Sequence, residues 1–405
     1  MTSFDTSPQL NVWRMLLALA VVFVMLATTG WTAMRGHRTT TELAASLSAW
    51  EHGSVAGHRL PDPDAAPGLL AGFFATLTEG QQVSLARRYP LAVGNMNGAP
   101  VQLRYQANRI ALGKARRVEL GRMRDKRLTS SGQYLAGRRM HRLESLMEPG
   151  RQILAFDPDG SGRVAEVLGD LDKAERVSVV VPGVDTDLLT FQRTNRRHSA
   201  PAGMAGALYE AEREASPSTR TAVIAWADYT APSGLGMDAA TALRAEAGAV
   251  RLNALVRALP GRAPVSLFCH SYGSVVCGVA ARSLPARVAD IAVAGSPGMR
   301  AESASGLGTG ARVWAMRDAD DWIEDVPHLE LGGLGHGADP MSAEFGARVL
   351  SARDAQGHAG YFVPGTDSLR NFAEIGTGAY RAVDCADDTD LCRTDLSVGA
   401  SAGRA

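Results

Sequence analysis

The chain has 405 residues, 45% of them hydrophobic and 21% charged, which is ample material for a large core and excludes intrinsic disorder as its organising state. Forty-two basic residues balance forty-two acidic ones. No whole-chain field draws it to nucleic acid, so no nucleic-acid partner is expected and any charged partner must be met by local groups.

The first element in chain order is apolar. Between Arg14 and Arg35 no residue is charged, and Met15 to Met34 would span roughly 30 Å as a helix, enough to cross a bilayer. Trp31 at its far end suits a membrane interface. Residues 1–38 therefore read as a membrane anchor or, alternatively, a cleaved signal segment, although the run has no small-x-small exit better than Thr28 and Gly30. Arg35, His37 and Arg38 after the span oppose an outward-facing body by positive-inside counting, a rule that weakens for long translocated domains. Cysteine usage points outward: Cys385 and Cys392 close a short polar loop that reads as a disulfide, and Cys269 and Cys277 form a second close pair, either bridged or two buried thiols. The expected location is the cell membrane, single-pass with the body outside, or secretion.

Residues 39–150 are helical in pattern, interrupted by Pro61, Pro63 and Pro67 and by a turn cluster from Gly94 to Pro100. The basic stretch from Arg109 to Arg142 reads as the solvated face of amphipathic helices, with contact to an anionic lipid or polymer as the alternative. From residue 151 to 380 the texture changes to short β-branched runs between helical segments. The first, QILAFDPDGSGRVAEV, reads as a hairpin turning at Asp157-Pro158-Asp159-Gly160. It also begins like a calcium loop, but Leu168 stands where the bidentate carboxylate belongs, so no metal is expected. VSVVVPG, TAVIAWADY, PVSLFCHS, VADIAVAGS, ARVWAMRD and a weaker ARVLSA follow. Continuous apolar runs alternating with helices predict a mostly parallel sheet covered on both faces. Residues 381–405 read as a tail holding the disulfide loop.

PVSLFCHS runs straight into Ser271-Tyr272-Gly273-Ser274 and then a small-residue helix. A serine on a tight strand-to-helix turn presents its hydroxyl above the sheet edge, and the turn needs small neighbours because strand and helix approach closely. Gly273 fits two positions after the serine, whereas Cys269 stands where the G-x-S-x-G pattern has glycine. Serine needs a histidine to take its proton and a carboxylate to orient that histidine, in the chain order Ser, acid, His. WAMRDADDWI offers Asp318, Asp320 and Asp321 at a strand end. Asp321 is chosen because Ile323 can anchor behind it, with Asp318 the runner-up. His358 follows the last strand and precedes a helix capped within Thr366-Asp367-Ser368, while His270, His328 and His336 are alternatives read first as structural. The oxyanion donors are the Tyr272 N–H and that of Gly183 or Val184 in the loop after VSVVVPG. Trp226, Tyr229 and Pro232, with the segment 233–238, are candidates for a pocket wall or lid, or for core packing.

NGAPVQLRYQANR, the 153–184 segment, CHSYGSVVCG, AGSPGM, HGADP and GHAGYFVPGTDSLRN together resemble the α/β-hydrolase superfamily, and within it a family of actinobacterial α/β-hydrolase-domain proteins, over roughly residues 70 to 380. The resemblance implies the α/β-hydrolase fold with Ser271 as nucleophile, Asp321 as acid and His358 as base. It supplies no substrate. The expected function is a serine hydrolase acting without a cofactor on a small-molecule or lipid-like ester, less readily an amide, through an acyl-enzyme. A catalytically silent envelope-binding module and a peptidase on the same fold are the alternatives, and the oligomeric state is left open.

Overall fold

The computed structural model describes residues 41–386, 390–394 and 396. The apolar run from Met15 to Met34 lies outside them, and among the described residues no helix is long and apolar enough to cross a membrane. The described residues from Glu42 onward form one compact unit.

Among the described residues the main sheet has eight strands: β1 (Gln152–Asp157), β2 (Arg163–Gly169), β3 (Arg176–Val181), β4 (Thr221–Ala227), β5 (Val265–His270), β6 (Val288–Ala294), β7 (Arg312–Met316) and β8 (Arg348–Val349). Their spatial order is β8-β7-β6-β5-β3-β4-β2-β1. The β1–β2 hairpin is antiparallel and β2 pairs antiparallel with β4, so only β2 runs against the rest. The branched runs of β3, β4 and β5 are buried along nearly their whole length, as strands covered on both faces must be. β8 is shorter than its sequence run suggests, but Leu350 still donates to the Ala315 carbonyl at 2.9 Å and keeps that segment on the sheet edge.

One face of the sheet packs against α9 (Leu243–Ala258), which follows the one-turn α8 (Met237–Ala240), and against α10 (Gly273–Ala281). The other packs against α5 (Val101–Met123), α6 (Ser130–Leu146), α7 (Pro201–Ala215) and α11 (Asp367–Thr377). A third cluster gathers α1 (Glu42–Glu51), α2 (Pro67–Ala75), α3 (Glu79–Arg88) and α4 (Pro90–Asn95) around Trp50 and Phe74. Helix α5 joins all three, because its 23 residues place Val101 in the cluster on the α9 face, Leu103 and Ala107 in the third cluster, and Ala111, Leu112 and Ala115 in the cluster on the opposite face of the sheet. The helical region thus shares a core with the sheet. It also closes the β1 edge: Asn95 exchanges hydrogen bonds with the Phe156 backbone at 2.7 and 3.0 Å, and Asn108 donates to the Ile153 carbonyl at 2.9 Å.

The calcium-like turn holds its carboxylates otherwise, with Asp157 paired to Arg163 and Asp159 accepting from the Leu43 N–H. Cys385 is bridged to Cys392, and Cys269 to Cys277, which ties the end of β5 to the second turn of α10.

Candidate active site

Ser271 is the residue after β5, and its φ of +55° puts a non-glycine residue in the left-handed region at a cost of about 1–2 kcal/mol. The surrounding contacts fix that conformation. The Ser271 N–H donates to the Ala294 carbonyl of β6 at 3.0 Å, and helix α10 begins two residues later. Gly273 is required there, since a Cβ would lie 2.2 Å from the Val181 carbonyl oxygen. Cys269, where glycine is usual, is fully buried and secured by its bridge to Cys277. The serine therefore stands at the C-terminal edge of the parallel strands, where ligands of open α/β sheets gather.

His358 lies in a short 3-10 turn between β8 and α11. Its Nε2 is 2.8 Å from the Ser271 Oγ, and its Nδ1 is 2.9 and 3.0 Å from the two carboxylate oxygens of Asp321. The network assigns the proton to Nδ1, donating to the carboxylate, and leaves Nε2 as acceptor for the serine hydroxyl. Asp321 is 2% exposed and also accepts from the Tyr361 hydroxyl at 2.5 Å and the Ile323 N–H at 3.0 Å. Burial pushes its carboxyl up, but the hydrogen bonds from His358 and Tyr361, the nearby imidazole and the Ile323 N–H together hold it below the usual range. Burial and the bond to Asp321 push the Tyr361 phenol up, so it stays a donor.

Asp318 takes a different position. Its Oδ1 accepts from the Gly357 N–H at 2.8 Å and so holds the loop that carries His358. His270 is neutral, since burial chiefly and the neighbouring His358 push it down to about 3; its Nε2 donates to the His358 carbonyl at 2.6 Å. Trp322, partly exposed, stands with its ring 4.8 Å from the His358 ring. His336 contacts the Ala239 carbonyl, and His328 lies near Ser296 and Asp339; neither is brought to Ser271.

Gly183 faces the serine closely, since a Cβ on it would come 2.6 Å from the Ser271 Cβ. Among the described residues no hydrogen bond uses the N–H of Tyr272, Gly183 or Val184. Both loops are held from behind. The Tyr272 hydroxyl donates to the Thr241 carbonyl at 2.8 Å and accepts from the Ala245 N–H at 3.2 Å, while the Tyr229 hydroxyl donates to the Pro182 carbonyl at 2.6 Å. A pocket of about 200 Å³ opens at Ser271 and His358, walled by Gly183, Val184, Thr186, Arg193 and Met204. Trp226 does not reach it; its ring stacks on Tyr229 and lines a separate cavity. Tyr361 and the holding roles of Asp318 and Tyr229 are not read from the sequence; the only local signal is that Tyr361 follows His358 by three residues.

An α/β-hydrolase family model matches residues 157–331, a range that takes in Ser271 and Asp321 and stops before His358. The chain is 25% identical over 381 residues to the uncharacterized Mycobacterium tuberculosis protein Rv2079, covering 79% of this chain and 57% of that one. It is 32% identical over 198 residues to the uncharacterized Mycobacterium bovis protein Mb0988c, covering 46% of this chain and 73% of that one. The chain thus spans little more than half the length of Rv2079. A crystal structure of 2,6-dihydroxy-pseudo-oxynicotine hydrolase overlaps at a TM-score of 0.30 and 11% identity, covering 65% of this chain and 85% of that one, a likeness that carries no inference. On the family match and the Mb0988c relationship, the chain belongs to the α/β-hydrolase family.

Proposed function

We propose that the protein is a serine hydrolase that cleaves carboxylic esters through an acyl-enzyme. The observation that carries the reading is the continuous hydrogen-bonded line from the Ser271 Oγ through both nitrogens of His358 to a buried, donor-saturated Asp321. His358 takes the Ser271 proton as the oxygen attacks the ester carbon, then passes it to the leaving alcohol; in the second half it takes a proton from water, which attacks the acyl carbon, and returns it to Ser271. Asp321 holds the imidazole tautomer and stabilises the imidazolium. The N–H groups of Tyr272 and of Gly183 or Val184 receive the oxyanion, each such donor commonly contributing about 3–4 kcal/mol. The small pocket favours a short acyl group.

The test is steady-state hydrolysis of p-nitrophenyl butyrate by the full chain and by Ser271→Ala. The expected loss in kcat/KM is about 10⁴-fold or more. Hydrolysis that survives the substitution at its original rate, or a folded wild-type protein inert to aryl esters of every acyl length, would overturn the reading.

A further inference from the structure

A second cavity of the molecule lies away from Ser271. It measures about 360 Å³, within the usual range for small-ligand sites, and lies between the helical region and the α9 face of the sheet. Its walls are apolar on several sides, from Leu43, Leu47 and Leu255, and they carry one group that does not suit an apolar cavity. Arg104, on α5, is 4% exposed. Its Nε donates to the Gly94 carbonyl at 3.2 Å and its Nη1 reaches the Asn97 side-chain oxygen only at 3.5 Å. Among the described residues no hydrogen bond uses its Nη2 and no carboxylate stands within 4.0 Å of it. Burial pushes the guanidinium down to about 10, which leaves it fully charged near neutrality.

The nearby carboxylates are already committed. Asp228, on the cavity wall, is gripped by Arg251 through both oxygens at 2.6 and 2.7 Å, and Asp157 is paired with Arg163. Both of these carboxylates are thus held by guanidiniums other than Arg104. Among the described residues Arg104 is buried without an ion-pair partner of its own. Trp226 adds a second unsatisfied group, because its indole forms part of the wall and its Nε1–H finds no acceptor. Burying an unpaired charge is strongly unfavourable, and a cavity beside it gives a counter-ion room to enter.

We propose that this cavity binds a small organic carboxylate, its anionic head at Arg104 and its apolar body against Leu43, Leu47 and Leu255. The planar guanidinium offers a carboxylate parallel donors, and the apolar walls select against a fully hydrated ion such as phosphate.

Isothermal titration of the full chain with octanoate, 1-octanol and inorganic phosphate tests it. Saturable binding of octanoate, none of octanol or phosphate, and at least tenfold weaker octanoate binding by Arg104→Met are expected. Because Arg104 also holds the turn at Gly94, Ala254→Phe, which fills the cavity without touching the charge, must weaken octanoate binding as well, and it decides the matter if Arg104→Met does not fold. Arg193→Glu, at the Ser271 pocket, should leave it unchanged. The proposal is overturned by octanol binding as tightly as octanoate, by phosphate alone binding, by loss of binding in Arg193→Glu with retention in Ala254→Phe, or by no saturable octanoate binding to the wild-type chain.

Discussion

Two buried carboxylates stand at opposite ends of the same sheet. Asp321 follows β7 at the C-terminal edge and accepts from His358, Tyr361 and the Ile323 N–H. Asp290, near the start of β6, is fully buried and accepts from Arg312 at 2.7 Å, the Trp314 Nε1 at 3.0 Å, the Tyr380 hydroxyl at 2.9 Å and the Ser266 Oγ at 3.2 Å. By burial and donor count they are nearly equivalent. They differ in what lies beyond the donors. At Asp290 the donors close on one another, since the Tyr380 hydroxyl also accepts from Arg312 and from Arg176. At Asp321 one donor is a titratable ring whose far nitrogen meets a serine in an open pocket. A saturated buried carboxylate is in itself a stability device. Chemistry begins only where its network ends on a proton acceptor beside accessible space.

The sharpest way to break this contrast is to neutralise each acid. Asp321→Asn should lower kcat by about 10³–10⁴-fold with little loss of stability, because the amide favours the wrong tautomer of His358. Asp318→Asn, whose carboxylate accepts from the Gly357 and Asp320 N–H groups and does not meet His358, should cost no more than about tenfold; kinetics of the two variants on one ester separate them. At the other end, Asp290→Ala should cost about 3 kcal/mol of folding stability, read by urea denaturation, while kcat per folded molecule stays as in the wild type.

These differences also mark how far the sequence could be read. The serine turn is legible because its signal is local: strand, Ser271, Gly273 and a small-residue helix are contiguous. The sheet is legible because strands covered on both faces must be apolar throughout. Asp318 and Asp321 both lie in one acidic run, and their division of labour depends on where the His358 loop returns about forty residues later, which no local pattern encodes. Tyr361 is hidden for a different reason, since a buried tyrosine near a histidine is ordinary core until its hydroxyl is seen to meet Asp321. Arg104 is the opposite case. It lies just ahead of a basic stretch that reads as a solvated helix face, yet the packing of α5 on two sides buries it. Cys269 and Cys277 are legible as a close pair, but bridge and buried thiols stay open alternatives until the helix is seen to place Cys277 beside the strand end.

Two smaller effects refine the comparison. Tyr361→Phe removes one of the donors that hold Asp321 charged, and kcat should fall by about tenfold with KM unchanged, the split expected of a residue that acts through the acid. Glu212, buried in α7 against Ser178, carries a carboxyl that burial pushes up to about 8. A folded value raised above the unfolded one means that its contribution to stability is fully present below about pH 4.5 and is lost as pH rises through 8. Denaturation midpoints measured from pH 4 to 9 should therefore fall across that window in the wild type, and Glu212→Gln should flatten the fall.

The most direct measurement of the central claim is covalent labelling of the full chain with a fluorophosphonate, followed by mass mapping of the adduct. The expected result is one adduct on Ser271, abolished in His358→Ala and strongly slowed in Asp321→Asn, with both variants folded. An adduct on another residue, or a folded wild-type chain that takes no label, would contradict it.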